Sequence, residues 1–245
     1  MTHLSCPPPR PTGLDGRSLL ETLSLFMRSI SGLEYLCFGL EARSVFLIER
    51  EALQRGKVLP PIRQLYLRPA FEPILFSFAD RLKQVVPGDE ALVDRFVSCL
   101  VGIAVAKRAR ASSSVPDESG AYVEYPAPAV AAGYLGRMLA GLPALDCPLD
   151  RAAYCYAQSI LSHPYTDGNG RLARSFALLQ LSSDLAGAVP FLPLGAVIYS
   201  RAEEVVGGLQ ELSRSGDWVS FAHVFRDALS TALDLAIRLL DTARR

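Results

Sequence analysis

Residues 163–174, HPYTDGNGRLAR, bring together a histidine, a carboxylate, two glycines and two guanidinium groups within twelve positions. His163 titrates near neutrality and can take a proton from a hydroxyl group. Asp167 is the kind of single carboxylate that Mg²⁺ takes when nucleotide phosphates supply its other ligands. Gly168 and Gly170 reach backbone conformations closed to other residues and let main-chain N–H groups approach an anion closely. Arg171 and Arg174 stand three apart and share a face if a helix begins here. Two cations at a helix start oppose its macrodipole, and a bound polyphosphate reverses the sign of that effect. Guanidinium groups suit phosphate oxygens through paired hydrogen bonds. The chemistry these residue types point to is phosphate binding beside a general base.

Such a loop has to be held between rigid elements, and the flanking sequence supplies them. Asp146-Cys147-Pro148 reads as an acidic cap followed by a first-turn proline, and the helix it starts should end near Ser162. A second helix is expected over 169–185, with Leu172, Phe176 and Leu179 on its apolar face. Upstream, apolar residues recur at helical spacing over 17–39, 42–55, 70–86 and 89–110, and again over 129–140. Downstream, a proline-rich connector leads to helices over 200–214 and 218–238. The segment 121–128, AYVEYPAP, alternates in the manner of a strand and is the one β-like stretch. The expected class is mainly α with a small β-hairpin flap.

The loop resembles the motif of the Fic family, HxFx(D/E)GNGRxxR, at His163, Asp167, Gly168, Asn169, Gly170, Arg171 and Arg174, with Tyr165 in place of the usual Phe. The exchange keeps an aromatic ring but adds a hydroxyl that needs a partner. The resemblance implies a Fic-fold helical bundle and a protein adenylyltransferase that moves AMP from ATP–Mg²⁺ to a protein hydroxyl, releasing pyrophosphate. It implies that His163 is the general base, Asp167 the Mg²⁺ ligand, and Gly168, Asn169 and Gly170 the anion hole. Arg171 and Arg174 would hold the distal phosphates. Glycine at 170, where Doc-type kinases of the family typically carry lysine, favours AMP transfer over phosphate transfer. UMP or phosphocholine donors, or a silent Fic fold that only binds protein, remain alternatives.

Fic proteins also carry a flap upstream that pairs with an extended stretch of the target, and Tyr122, Val123, Glu124 and Tyr125 are the candidate edge. The inhibitory pattern (S/T)xxxE(G/N) has a degenerate counterpart at 30–35, ISGLEY, with Glu34 as its glutamate. The resemblance is compatible with a separate inhibitory protein instead, and with a homodimer. Its span is about 94–234, within a single Fic-fold domain over 16–245 that has N-terminal helices over about 16–110 and a flexible leader over 1–15.

Composition narrows the partners. In 245 residues, 25 basic and 25 acidic side chains balance, so no overall field draws the chain to nucleic acid or to an anionic membrane. No apolar run is long enough to span a bilayer. The five cysteines form no C-x-x-C pair and read as buried thiols of a reducing, cytoplasmic compartment. The expected partner is a target protein bearing Ser, Thr or Tyr, with ATP as substrate.

Overall fold

A computed structural model describes residues 17–29, 40–54, 71–110, 124–182 and 192–243. The described elements are α1 (Arg17–Ser29), α2 (Leu40–Gln54), α3 (Phe71–Lys83), α4 (Glu90–Val101), α5 (Pro128–Ala132), α6 (Tyr134–Gly141), α7 (Pro148–Ser162), α8 (Asn169–Leu181), α9 (Leu194–Ser200), α10 (Ala202–Ser215) and α11 (Val219–Ala243). A single 3₁₀ turn, Leu142–Ala144, joins α6 to the approach of α7. The mainly α class expected from periodicity is the observed one.

The fold is organised around α7 and α8, the most intimately packed pair of helices. Nearly all of α7 is buried, including its polar Asp150, Gln158, Ser159 and Ser162. A helix apolar or small on every side belongs in the middle of a core. Both helices bury small side chains, Ala152, Ala153, Cys155, Ala157 and Ser159 on α7 and Ala173, Ser175 and Ala177 on α8, and small residues let helices approach closely. Around this pair, α6, α10 and the long α11 pack on α7, and α3, α4 and α9 pack on α8. Tyr154 and Tyr156 of α7 enter an aromatic cluster with Trp218, Phe221 and Phe225 of the α11 region. Each such ring withdraws enough apolar surface to stabilise the fold by about 1.5–3 kcal/mol.

Several boundaries differ from the periodic reading. The helix expected over 89–110 ends at Val101, because Gly102 turns left-handed (φ 81°) and its N–H caps the Ser98 and Cys99 carbonyls. The residues beyond it run extended to pair with the loop before α8: Lys107 and Tyr165 form an isolated antiparallel bridge. Among the described residues this bridge takes the place of a strand. The 129–140 helix is two short ones divided at Gly133, and α5 uses Pro128 in its first turn. The cap of α7 is Cys147, in extended conformation, and not the acidic Asp146. Residues 194–200, read as connector, are helical as α9 with Pro193 as N-cap. The last helix runs on to Ala243. The second half of the 17–39 helix, the leader 1–15 and the segment 183–185 lie outside the described residues. No described helix is long and apolar enough to cross a membrane.

Candidate active site

The chain leaves α7 through His163, which is its C-cap and takes a left-handed backbone conformation (φ 44°). For a residue with a side chain that conformation costs about 1–2 kcal/mol, so the surroundings must hold it. The His163 N–H closes the last turn on the Ser159 carbonyl (3.2 Å), and the Arg108 Nε donates to the His163 carbonyl (3.0 Å). The extended segment then fastens the loop residue by residue: the Arg108 N–H donates to the Pro164 carbonyl (2.8 Å), and the Thr166 N–H to the Ala106 carbonyl (3.1 Å).

Tyr165 turns inward and is fully buried. Its added hydroxyl has a partner, donating to Asp94 Oδ1 at 2.6 Å, and Lys107 Nζ lies 3.4 Å from the other oxygen of that carboxylate. Burial pushes the Tyr165 phenol well above its ordinary range, which keeps it a neutral donor. Asn169, also buried, braces the loop from the other side. Its Oδ1 accepts from the Tyr165 N–H (3.0 Å) and its Nδ2 donates to the Tyr165 carbonyl (2.9 Å). The side chain of Asn169 is thus committed to the loop, and its backbone N–H is what it has to offer an anion.

Gly168 is the N-cap of α8 at φ 86°. A Cβ there would stand 2.8 Å from Val97 Cγ1 and 2.9 Å from Val101 Cγ2, so α4 packs directly against the bare backbone. Only glycine satisfies both demands. Beyond it, the first N–H groups of α8 have no intrahelical acceptor and point out of the helix start, the arrangement that receives phosphate. The Arg174 guanidinium lies beside Gly170 in the first turn of α8: a Cβ on Gly170 would meet Arg174 Nη1 at 3.6 Å.

Arg171 behaves differently from Arg174. Its Nη1 donates to the Leu100 carbonyl at the end of α4, and its Nη2 lies 3.6 Å from Asp167 Oδ1. It therefore ties the motif helix to α4, where the negative end of a helix dipole favours a cation, and it orients Asp167. The same Asp167 oxygen accepts the Gly168 N–H at 2.5 Å, while about half of the side chain meets solvent. No cluster of three or more His, Cys, Asp or Glu side chains suited to a metal occurs among the described residues. A lone, reachable carboxylate beside an uncapped helix start is a residue type that could take Mg²⁺ carried in with a nucleotide.

The imidazole of His163 is covered by Tyr125, whose ring stacks on it at 3.9 Å between centroids and 16° between planes. Burial, with the positive Arg108 alongside, pushes the imidazole down to about 4. The ring is neutral near pH 7 and able to accept a proton. Nδ1 is buried with no hydrogen-bond partner in good geometry. Two neighbours of the histidine are not marked as such by the sequence, Arg108, which bonds to its carbonyl, and Tyr125, which stacks on its ring. Arg108 sits in the run KRAR, where nothing distinguishes a buried arginine from its exposed neighbours. Of the other expected residues, Glu124 is exposed, whereas Tyr122, Val123 and Glu34 lie outside the described residues.

Residues 90–181 match the model of the Fic/DOC family. That span contains the whole loop, Arg108 and Tyr125. Two solved structures share the fold. A Fic family protein from Desulfovibrio desulfuricans G20 superposes with a TM-score of 0.64 at 18% identity, over 94% of this chain and 76% of that one. A Fic domain containing signaling protein from Bacteroides thetaiotaomicron does so with a TM-score of 0.56 at 15% identity, over 92% of this chain and 96% of that one. No curated protein matches the chain.

Proposed function

We propose that this chain is a protein adenylyltransferase that moves AMP from ATP–Mg²⁺ to a hydroxyl side chain of another protein. One observation carries the reading: a neutral, half-buried histidine closes α7 five residues before the left-handed glycine that caps α8, with the Arg174 guanidinium beside Gly170 in the first turn of α8. In this reading the backbone N–H groups of Asn169 and Gly170 take the phosphates, the Gly168 N–H being engaged by Asp167, and Arg174 holds the terminal one. Arg171, anchored to α4, sets the position of Asp167. Asp167 would hold Mg²⁺, which with ATP bound neutralises phosphate charge.

His163 accepts the proton of the target hydroxyl as its oxygen forms a bond to the α-phosphorus. The bond from that phosphorus to the bridging oxygen breaks and pyrophosphate leaves with both electrons. Glycine at 170 supports binding with the α-phosphorus presented to the acceptor, since no lysine occupies the helix start.

The test is protein labelling with two forms of ATP. Label carried at the α-phosphate should appear on protein and label at the γ-phosphate should not. The reverse result would identify a kinase. Absence of both, with UTP or a CDP-choline donor labelling instead, would replace the donor while keeping the transferase. Nucleotide binding with no transfer from any donor would make the domain a binding module.

A further inference from the structure

We propose that Arg108 is the positioning residue of the transfer, acting on His163 from two sides at once. The inference rests on the reading above, in which His163 is the base. One guanidinium makes three separate backbone contacts. Nε donates to the His163 carbonyl (3.0 Å), Nη1 to the Arg110 carbonyl (2.8 Å) and Nη2 to the Pro126 carbonyl (2.5 Å). The first fixes the strained turn that bears the imidazole. The third fixes the segment that bears Tyr125, immediately before Pro126. The guanidinium carbon also lies 5.9 Å from the centre of the Tyr125 ring, within cation–π range.

The consequence is a layered arrangement of Arg108, Tyr125 and His163. The imidazole is held at its backbone through one arm of Arg108 and at its face through the tyrosine that another arm positions. A left-handed C-cap with a side chain has an ordinary competitor in which the turn relaxes and the ring swings away. The clamp removes that alternative, so a hydroxyl presented to the site meets the base in one orientation. Lysine cannot replace Arg108, because its single ammonium does not span three carbonyls set around a planar fork. The three hydrogen bonds of the Arg108 guanidinium all go to backbone carbonyls, so it acts through His163 and Tyr125.

The experiment uses the full chain with Arg108→Lys, Tyr125→Leu and Tyr125→Phe, read by imidazole NMR of His163 and by ATP-dependent label transfer. A ring stacked at this distance shifts the imidazole protons upfield. In Arg108→Lys and Tyr125→Leu those resonances should move downfield. The rate at saturating ATP should fall about 10- to 100-fold, with the KM for ATP unchanged, as expected when a reacting group is misplaced without loss of substrate binding. Tyr125→Phe should keep the shifted resonances and recover most of the rate lost in Tyr125→Leu. If Arg108→Lys is unstable, Arg108→Gln read in the same two ways decides. Unmoved His163 resonances beside an active wild type would overturn the positioning role alone, as would a KM for ATP that rises in step with the fall in rate. An inactive wild type that still shows the upfield shift would overturn the transferase reading, and the positioning role with it.

Discussion

Replacing Gly168 by alanine tests the packing of the loop without touching a charge. Two costs add at this position. The left-handed backbone (φ 86°) disfavours any L side chain by about 1–2 kcal/mol. The new methyl also stands 2.8 Å from Val97 and 2.9 Å from Val101, contacts that force a shift of α4 or α8 worth about 1–3 kcal/mol. The expected loss is therefore about 2–5 kcal/mol in total. Gly216 supplies the control, because it ends α10 with nearly the same backbone (φ 73°) but nothing lies within 4 Å of a Cβ there. Gly216→Ala should cost only the backbone share, about 1–2 kcal/mol. Urea unfolding followed by circular dichroism measures both, and the difference isolates the steric contribution of α4. If Gly168→Ala is no more destabilising than Gly216→Ala, α4 does not press on the loop, and the account of why the α8 start is held in place is wrong.

Asn169→Ala removes two hydrogen bonds to the Tyr165 backbone and should cost about 1–3 kcal/mol while weakening ATP binding, checked by thermal unfolding with and without ATP. His163 makes stability depend on pH in a defined window. Its folded value of about 4 lies below the unfolded value of about 6.5. Between these the unfolded state binds the proton more readily, so stability falls as pH drops from 6.5 towards 4, with no contribution from this group above 6.5. At about 1.4 kcal/mol per unit, reduced because the ring is partly exposed, the loss is about 2 kcal/mol. It should be absent from the pH–stability curve of His163→Gln, measured by denaturant titration at a series of pH values.

The parts of the site legible in the sequence are those whose chemistry is local. The left-handed Gly168, the helix that begins at Asn169 and the helix that ends at Ser162 all follow from residue types and spacing along one stretch. The mainly α class follows from periodicity in the same way. Misplaced boundaries trace to contacts between distant segments. Residues 102–110 have the composition of a helix, yet their backbone hydrogen-bonds to the loop 164–166, and that pairing wins over propensity. The two motif arginines look equivalent in sequence, whereas the Leu100 carbonyl and Asp167 engage Arg171 and Gly170 faces Arg174. Asn169 reads as an anion-hole residue and proves to brace the loop with its side chain. Arg108 lies 55 positions from the histidine it clamps, and no local pattern announces such a contact.

The most direct test of the central claim is the single-turnover rate of label transfer from α-labelled ATP at saturating ATP–Mg²⁺, measured for wild type and for His163→Ala. With the phosphates held by α8 and the proton taken by the imidazole, the variant should still saturate with ATP while its rate falls by about 10²–10⁴-fold. Transfer at the wild-type rate without His163 would contradict the assignment of that side chain as the base.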